Sequence, residues 1–137
     1  MMKVILDTNV LVSAIGIHSP NRIIFDEIKS GELLLAVSND IINEYREIIS
    51  HKMTSSIADN LTQYFILSPN VLKTNIYYNW SFMNNDESDN KYVDCYIASN
   101  SDFIVTNDKH FEILKSYDFP KVNIINSNDF IDLLNKK

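Results

Sequence analysis

The chain has 137 residues, a formal net charge of −6, two glycines and a single cysteine. That length suits one domain spanning residues 1–137, large enough to fold without disulfides or a structural metal. The lone Cys95 excludes an intrachain disulfide framework and suits a reducing cytosol, and the acidic balance excludes broad electrostatic attraction to nucleic acid, though not a nuclease whose acids are neutralised by cations.

The apolar run before Asp7 in "MMKVILD" is too short for a signal peptide, and no stretch approaches the ~20 apolar residues of a membrane span. The expectation is a cytoplasmic protein with no membrane partner. Val4–Leu6 reads as a strand buried in a parallel sheet, and Val10, Leu11, Ala14 and Ile15 then recur at helical spacing. Pro20 suits the first turn of a helix through Arg22–Lys29, which Gly31 stops. "LLLAV", Leu33–Val37, is a second strand. Ser38 is placed to cap a helix carrying Ile41, Ile42, Tyr45, Ile48 and Ile49 on one face.

Residues 54–67 predict another helix, with Ile57, Leu61, Tyr64 and Phe65 on its apolar side and Pro69 as its stop. "VLKTNIYY" predicts a strand. The polar stretch "NNDESDN" starts a helix through Tyr92, Val93, Tyr96 and Ile97 to Ser99. "FIVT" is a strand, His110–Tyr117 a helix, "VNII" the last strand, and Ser127–Leu134 a closing helix capped by Ser127 or Asn128. Strands and helices alternate throughout. That predicts an α/β fold in three layers, α/β/α, with a central parallel sheet of about five strands.

In open parallel sheets, functional groups gather beyond the carboxyl ends of the strands. Asp7 follows the first strand and Asp108 follows "FIVT"; Asp89 opens the helix that feeds that strand, and Glu44 lies on the helix after the second strand. Each also has a structural reading. Asp89 and Asp108 can cap helices, and Glu44 can be a solvated face residue. Asp7 is the hardest to explain this way, since a buried strand needs no carboxylate at its end. Together, the four would repel unless a cation sat among them, and hard oxygen donors suit Mg²⁺ or Mn²⁺.

The stretches "VILDTNVLVSAI", "AVSNDIINEYREII", "DESDNKYVDCYIASNSDFIVTNDKHFEIL" and "NIINSNDFIDLL" resemble the PIN-domain ribonucleases. The likeness is greatest to the small VapC-like members that are toxins of toxin–antitoxin pairs. The resemblance implies catalytic, metal-holding acids at Asp7, Glu44, Asp89 and Asp108, with one or two Mg²⁺ or Mn²⁺ ions. Asn9 and Thr106 match small polar residues that orient the acids or a bound water. The resemblance also implies strand order 3-2-1-4-5, hydrolysis of RNA, an antitoxin partner and a homodimer. The family's spacing to Asp108 favours Asp89 over Asp94, which is left as an outer group or a solvated residue; Asp86 is close enough to act through water.

No side chain offers a convincing nucleophile. Cys95 reads as core, and His18, His51 and His110 lack a zinc spacing. His110, near the proposed site, reads as a surface residue that could touch substrate. Arg22, Arg46, Lys52, Lys91 and Lys109 are the candidate phosphate contacts, Arg46, Lys91 and Lys109 foremost. Tyr77, Tyr78 and Trp80 could stack on bases, with a core or interface role as the competing reading. An aspartate-dependent phosphatase would need an acid at Asn9. The residues leave two functions open beside the toxin: a non-catalytic PIN-like module that binds RNA or protein, and a housekeeping nuclease without an antitoxin.

Overall fold

Each apolar run expected to be a strand contributes one to the sheet of the computed structural model, which describes residues 1–83 and 87–136. β1 (Lys3–Leu6), β2 (Leu34–Val37), β3 (Val71–Lys73), β4 (Phe103–Val105) and β5 (Ile124–Ile125) form one sheet in the order β3-β2-β1-β4-β5. Every pairing is parallel, with Lys3 opposite Leu34 and Val4 opposite Phe103 on the two sides of β1. Val4, Ile5, Leu6, Leu35, Ala36, Val37, Ile104 and Val105 are all completely buried. Side chains alternate between the faces of a strand, so continuous apolar runs mean that both faces are covered. Burying each such side chain contributes roughly 1.5–3 kcal/mol.

The covering helices are α1 (Thr8–Ile15), α2 (Arg22–Ser30), α3 (Asn39–Lys52), α4 (Ser55–Leu67), α5 (Asn90–Ser99) and α6 (Ser127–Asn135). The fold is the three-layer α/β/α arrangement expected. Local chemistry sets the helix ends. Ser38 Oγ accepts the Ile41 N–H at 3.3 Å, and Thr54 Oγ1 accepts that of Ile57 at 3.1 Å. Gly31 ends α2 at φ +86°, a left-handed conformation that other residues adopt only with strain.

The structure corrects several expected details. β3 ends at Lys73, not within "IYY", because β2 runs out: Lys73 is opposite Val37, and the Thr74 N–H makes the last rung to the Val37 carbonyl at 2.7 Å. Ile57 is 41% exposed, and the buried side of α4 is Ala58 and Phe65. Pro20 lies in the turn before α2, with Asn21 at the cap position. The cap of α6 is Asn126, which accepts the Asp129 N–H at 2.8 Å; Ser127 instead pairs with Asn107 through both its N–H and its hydroxyl. The expected α-helix at 110–117 is a 3-10 segment, Lys109–Ser116. Residues three apart eclipse on a 3-10 helix, and Phe111 and Leu114 are both fully buried.

Gly31 provides a direct check on this chain path. A Cβ there would meet Asn70 only at 3.5 Å, an ordinary contact, so the cost of Gly31→Ala is the backbone conformation. That cost is about 1–2 kcal/mol, and differential scanning calorimetry should show a melting temperature lower by several degrees.

Candidate active site

The site begins where β1 ends. The Asp7 N–H donates to the Val105 carbonyl at 3.1 Å, so Asp7 is still on the β1–β4 ladder, and α1 starts at the next residue. Its side chain is therefore held at the carboxyl edge of the sheet and is only 8% exposed. Thr106, just beyond β4, donates its hydroxyl to Asp7 Oδ2 at 2.7 Å and accepts the Asp108 N–H at 3.1 Å. One threonine thus positions both acids. Burial pushes the Asp7 carboxyl up; the Thr106 hydroxyl lowers it, the charge of Asp108 raises it, and the N–H groups of Asn9 and Thr8 lower it. The net shift is upward.

Asp108 does cap the segment after it, accepting the His110 N–H on Oδ1 at 2.9 Å. It does more than cap. Asp89, Asp108 and His110 each offer a donor atom, and the three atoms lie within 4.8 Å of one another. Asp89 occupies the position before α5 in helical geometry, and its carboxylate makes no capping hydrogen bond. The capping role considered for Asp89 therefore fails. Two carboxylates and an imidazole are a donor set suited to a divalent transition ion, and the carboxylates alone suit Mg²⁺.

Glu44 is held differently. The adjacent Tyr45 is fully buried and donates its hydroxyl to the Leu6 carbonyl, which pins α3 to the end of β1. Glu44 then faces Thr8, whose hydroxyl donates to Oε2 at 2.5 Å; the Tyr92 hydroxyl donates to the same oxygen, and Lys91 Nζ lies 2.8 Å from Oε1. Burial raises the Glu44 carboxyl, but the hydrogen bonds from Lys91, Thr8 and Tyr92 outweigh it and hold the group below its ordinary value. Burial and the neighbouring Glu44 push the Tyr92 phenol far up, so it remains a donor. Glu44 is thus neutralised within the chain, while the mutual repulsion expected among the acids is present between Asp7 and Asp108.

Glu44, Lys91, Asp94, Asn79, Ser88 and Asn90 line a polar cleft of about 640 Å³. Asp94 is buried, not solvated. It accepts the Trp80 N–H at 2.9 Å, and burial raises its carboxyl. With Asn90, which accepts the Met83 N–H at 2.9 Å, it ties residues 79–83 along α5. Asp86 lies outside the described residues. Asn9 is exposed, with Lys52 Nζ at 3.5 Å from Oδ1. Arg46 does not line the cleft and pairs with Asp59 of α4 at 2.9 Å; Arg22 pairs with Asp26 at 3.1 Å. Lys109 is exposed beside Asp108. Tyr77 and Tyr78 are 89% and 65% exposed, which removes a core role for both. Cys95 is fully buried and its thiol is pushed up to about 12, which leaves it inert as a nucleophile.

Thr8 and Tyr92, which hold Glu44, escape a reading of the sequence, and His110, grouped with Asp89 and Asp108, is read there only as a possible substrate contact. Thr8 lies inside "LDTN" and Tyr92 on an apolar helical stripe, so other patterns absorb both; His110 reads as a surface residue. The signal available for them is a polar terminus within two residues of an acid: Thr8 follows Asp7, Tyr92 lies two residues before Asp94, and His110 two residues after Asp108.

A family model described as PIN domain matches residues 3–110. Among solved structures, the chain is similar to a chain in VapBC2 from Rickettsia felis bound to a DNA fragment from their promoter. The TM-score is 0.61 at 18% identity, over 91% of this chain and 98% of that one. It is also similar to a chain in FitAcB from Neisseria gonorrhoeae, with a TM-score of 0.53 at 14% identity, over 90% of this chain and 97% of that one. These likenesses are of fold. No curated protein matches the chain.

The upward shift of Asp7 has a sign that can be tested. An acid with a raised folded pKa favours the fold at low pH, and that benefit is lost as pH rises from the unfolded value through the folded one. For Asp7 the loss starts near its ordinary value of 3.8. Asp7→Asn in EDTA should therefore melt higher than the parent at neutral pH and show a flatter decline in melting temperature above about pH 4. Equal slopes for the two proteins would mean that burial does not strain this carboxylate.

Proposed function

The chain belongs to the PIN domain family, and on that premise we propose that it is a divalent-metal-dependent endoribonuclease, the toxin of a toxin–antitoxin pair. PIN-domain proteins are nucleases. The observation that carries the reading is the convergence of Asp89 and Asp108 donors beside the buried Asp7, at the carboxyl edge of a parallel sheet.

Asp7, Asp89 and Asp108 would hold one or two Mg²⁺ or Mn²⁺ ions, with Glu44 completing the set from α3. What a bound divalent ion supplies is Lewis acidity toward a phosphodiester oxygen and a water activated near neutral pH. The chain's own groups prepare the rest. Thr106 holds Asp7 and the Asp108 backbone in register. Thr8 and Tyr92 keep Glu44 ionised and oriented. Lys91, which lines the cleft, offers a cation to a substrate phosphate, and Lys109 is exposed nearby. Asn9 cannot serve as the acid that a phosphatase mechanism needs at that position.

The substrate we propose is RNA, with Tyr77 and Tyr78 exposed for stacking on unpaired bases. An antitoxin partner completes the toxin reading, and the likeness of fold to chains in VapBC2 and FitAcB supports it. A homodimer in the cytoplasm completes the proposal. No helix among the described residues is long and apolar enough to cross a membrane. Light scattering reads the dimer directly, and a monomer at every concentration tested would count against it.

Purified protein should cut labelled RNA with Mn²⁺ or Mg²⁺ and stop in EDTA. Asp7→Asn, Asp108→Asn and Asp89→Asn should each reduce the rate by on the order of a hundredfold, the upper range for removing even an indirect metal partner. Asp94→Asn should cost much less, because its carboxylate holds Trp80. RNA retarded on a gel but left intact would identify a binding module instead. Variants that cut as fast as the parent would point to a contaminating ribonuclease or another site.

A further inference from the structure

We propose that His110 is a nitrogen ligand of the metal centre and makes the site select Mn²⁺ over Mg²⁺. This rests on the metal-dependent reading above and extends its donor set beyond carboxylates.

The geometry comes first. An octahedral cation with bonds of about 2.1 Å places its donors about 3 Å apart when adjacent and about 4.2 Å apart when opposite. The chosen atoms of Asp89, Asp108 and His110 all lie within 4.8 Å of one another, so small rotations about side-chain bonds suffice to converge them. The His110 side chain is 71% exposed, at the surface where the acids lie. Its backbone, in contrast, is held. The His110 N–H is bound to Asp108 Oδ1, and the next residue, Phe111, is completely buried. The ring faces Asp108, with Nδ1 at 3.3 Å from Oδ1.

The chemistry follows from the donor type. Mg²⁺ prefers oxygen and gives up its waters reluctantly. Imidazole is a borderline donor that suits the later divalent ions, and affinity for a nitrogen-containing site rises along the transition series from Mn²⁺. A site of carboxylates alone would discriminate little between Mg²⁺ and Mn²⁺. One imidazole adds a bond that Mn²⁺ uses and Mg²⁺ does not. His18, exposed in the turn between α1 and α2, is a histidine that does not belong to this cluster and serves as a control.

Parent, His110→Gln and His18→Gln should be titrated with MnCl₂ and with MgCl₂ by calorimetry, and pulsed electron paramagnetic resonance recorded on the Mn²⁺-loaded proteins. The parent should bind Mn²⁺ more tightly than Mg²⁺ and show a ¹⁴N coupling. His110→Gln should lose about tenfold or more in Mn²⁺ affinity, keep its Mg²⁺ affinity within about twofold, and lose the coupling. His18→Gln should match the parent in all three. Equal melting temperatures in EDTA would confirm that the variants fold alike. If the parent binds Mn²⁺ without a ¹⁴N coupling, or His110→Gln keeps the parent's preference for Mn²⁺, the histidine is not a ligand, while the metal-dependent nuclease stands. If the parent binds neither ion, both readings fall together.

Discussion

The burial of one carboxylate at the end of the central strand is the constraint on which the rest of the structure depends. Removing an ionised carboxylate from water costs several kcal/mol unless hydrogen bonds replace the lost hydration. Asp7 receives one from the Thr106 hydroxyl at 2.7 Å, and the N–H groups of Asn9 and Thr8 at the start of α1 lower its carboxyl further. A helix N-terminus is a favourable place for an anion, because its first N–H groups lack partners in the helix. Even so, the carboxyl remains raised, so this edge of the sheet retains a demand for positive charge.

Glu44 meets the same problem with the opposite result. Burial alone would raise it, yet Lys91, Thr8 and Tyr92 reverse the sign. The two acids differ in their partners: Glu44 has a lysine at 2.8 Å, whereas the charged neighbour that shifts Asp7 is another acid, Asp108. An external cation would relieve Asp7 and Asp108 more than it would relieve Glu44. Recruiting Glu44 to the same ion would require Lys91 to leave Oε1.

Much of the fold was legible because both-face burial leaves continuous apolar runs, as in "VILD" and "FIVT", and because strand–helix alternation permits few topologies. The order of the strands was not legible from alternation; it came from resemblance, and the pairing bears it out. The end of β3 was hidden because it depends on where β2 stops, a fact about a partner some 35 residues away. The 3-10 segment after Asp108 was hidden because its buried pair, Phe111 and Leu114, fits a helix of either pitch. At the site, acids stood out because carboxylates beside buried strands have few structural uses. Tyr92 did not, since its ring satisfies the core pattern and only its hydroxyl reaches Glu44. His110 was read as a surface residue near the acids that could touch substrate, since exposure and lack of a zinc spacing are properties of most histidines.

The remaining wall of the cleft is built from aromatic contact. Past Lys73 the chain has no strand to pair with, yet Asn79 and Ser81 of the stretch 79–83 still border the cleft. Asp94 and Asn90 hold the backbone of this stretch to α5, and rings hold its outer side. Tyr78 meets Trp80 at 4.9 Å between ring centroids, Trp80 meets Phe82 at 5.7 Å, and Phe82 stacks on Tyr117 at 4.4 Å. Tyr117 directly follows the 3-10 segment that carries His110 and is preceded by Asp108. Each aromatic pair contributes about 0.5–1.5 kcal/mol beyond its buried area. The row therefore joins the irregular wall to the 3-10 segment that follows Asp108 and carries His110.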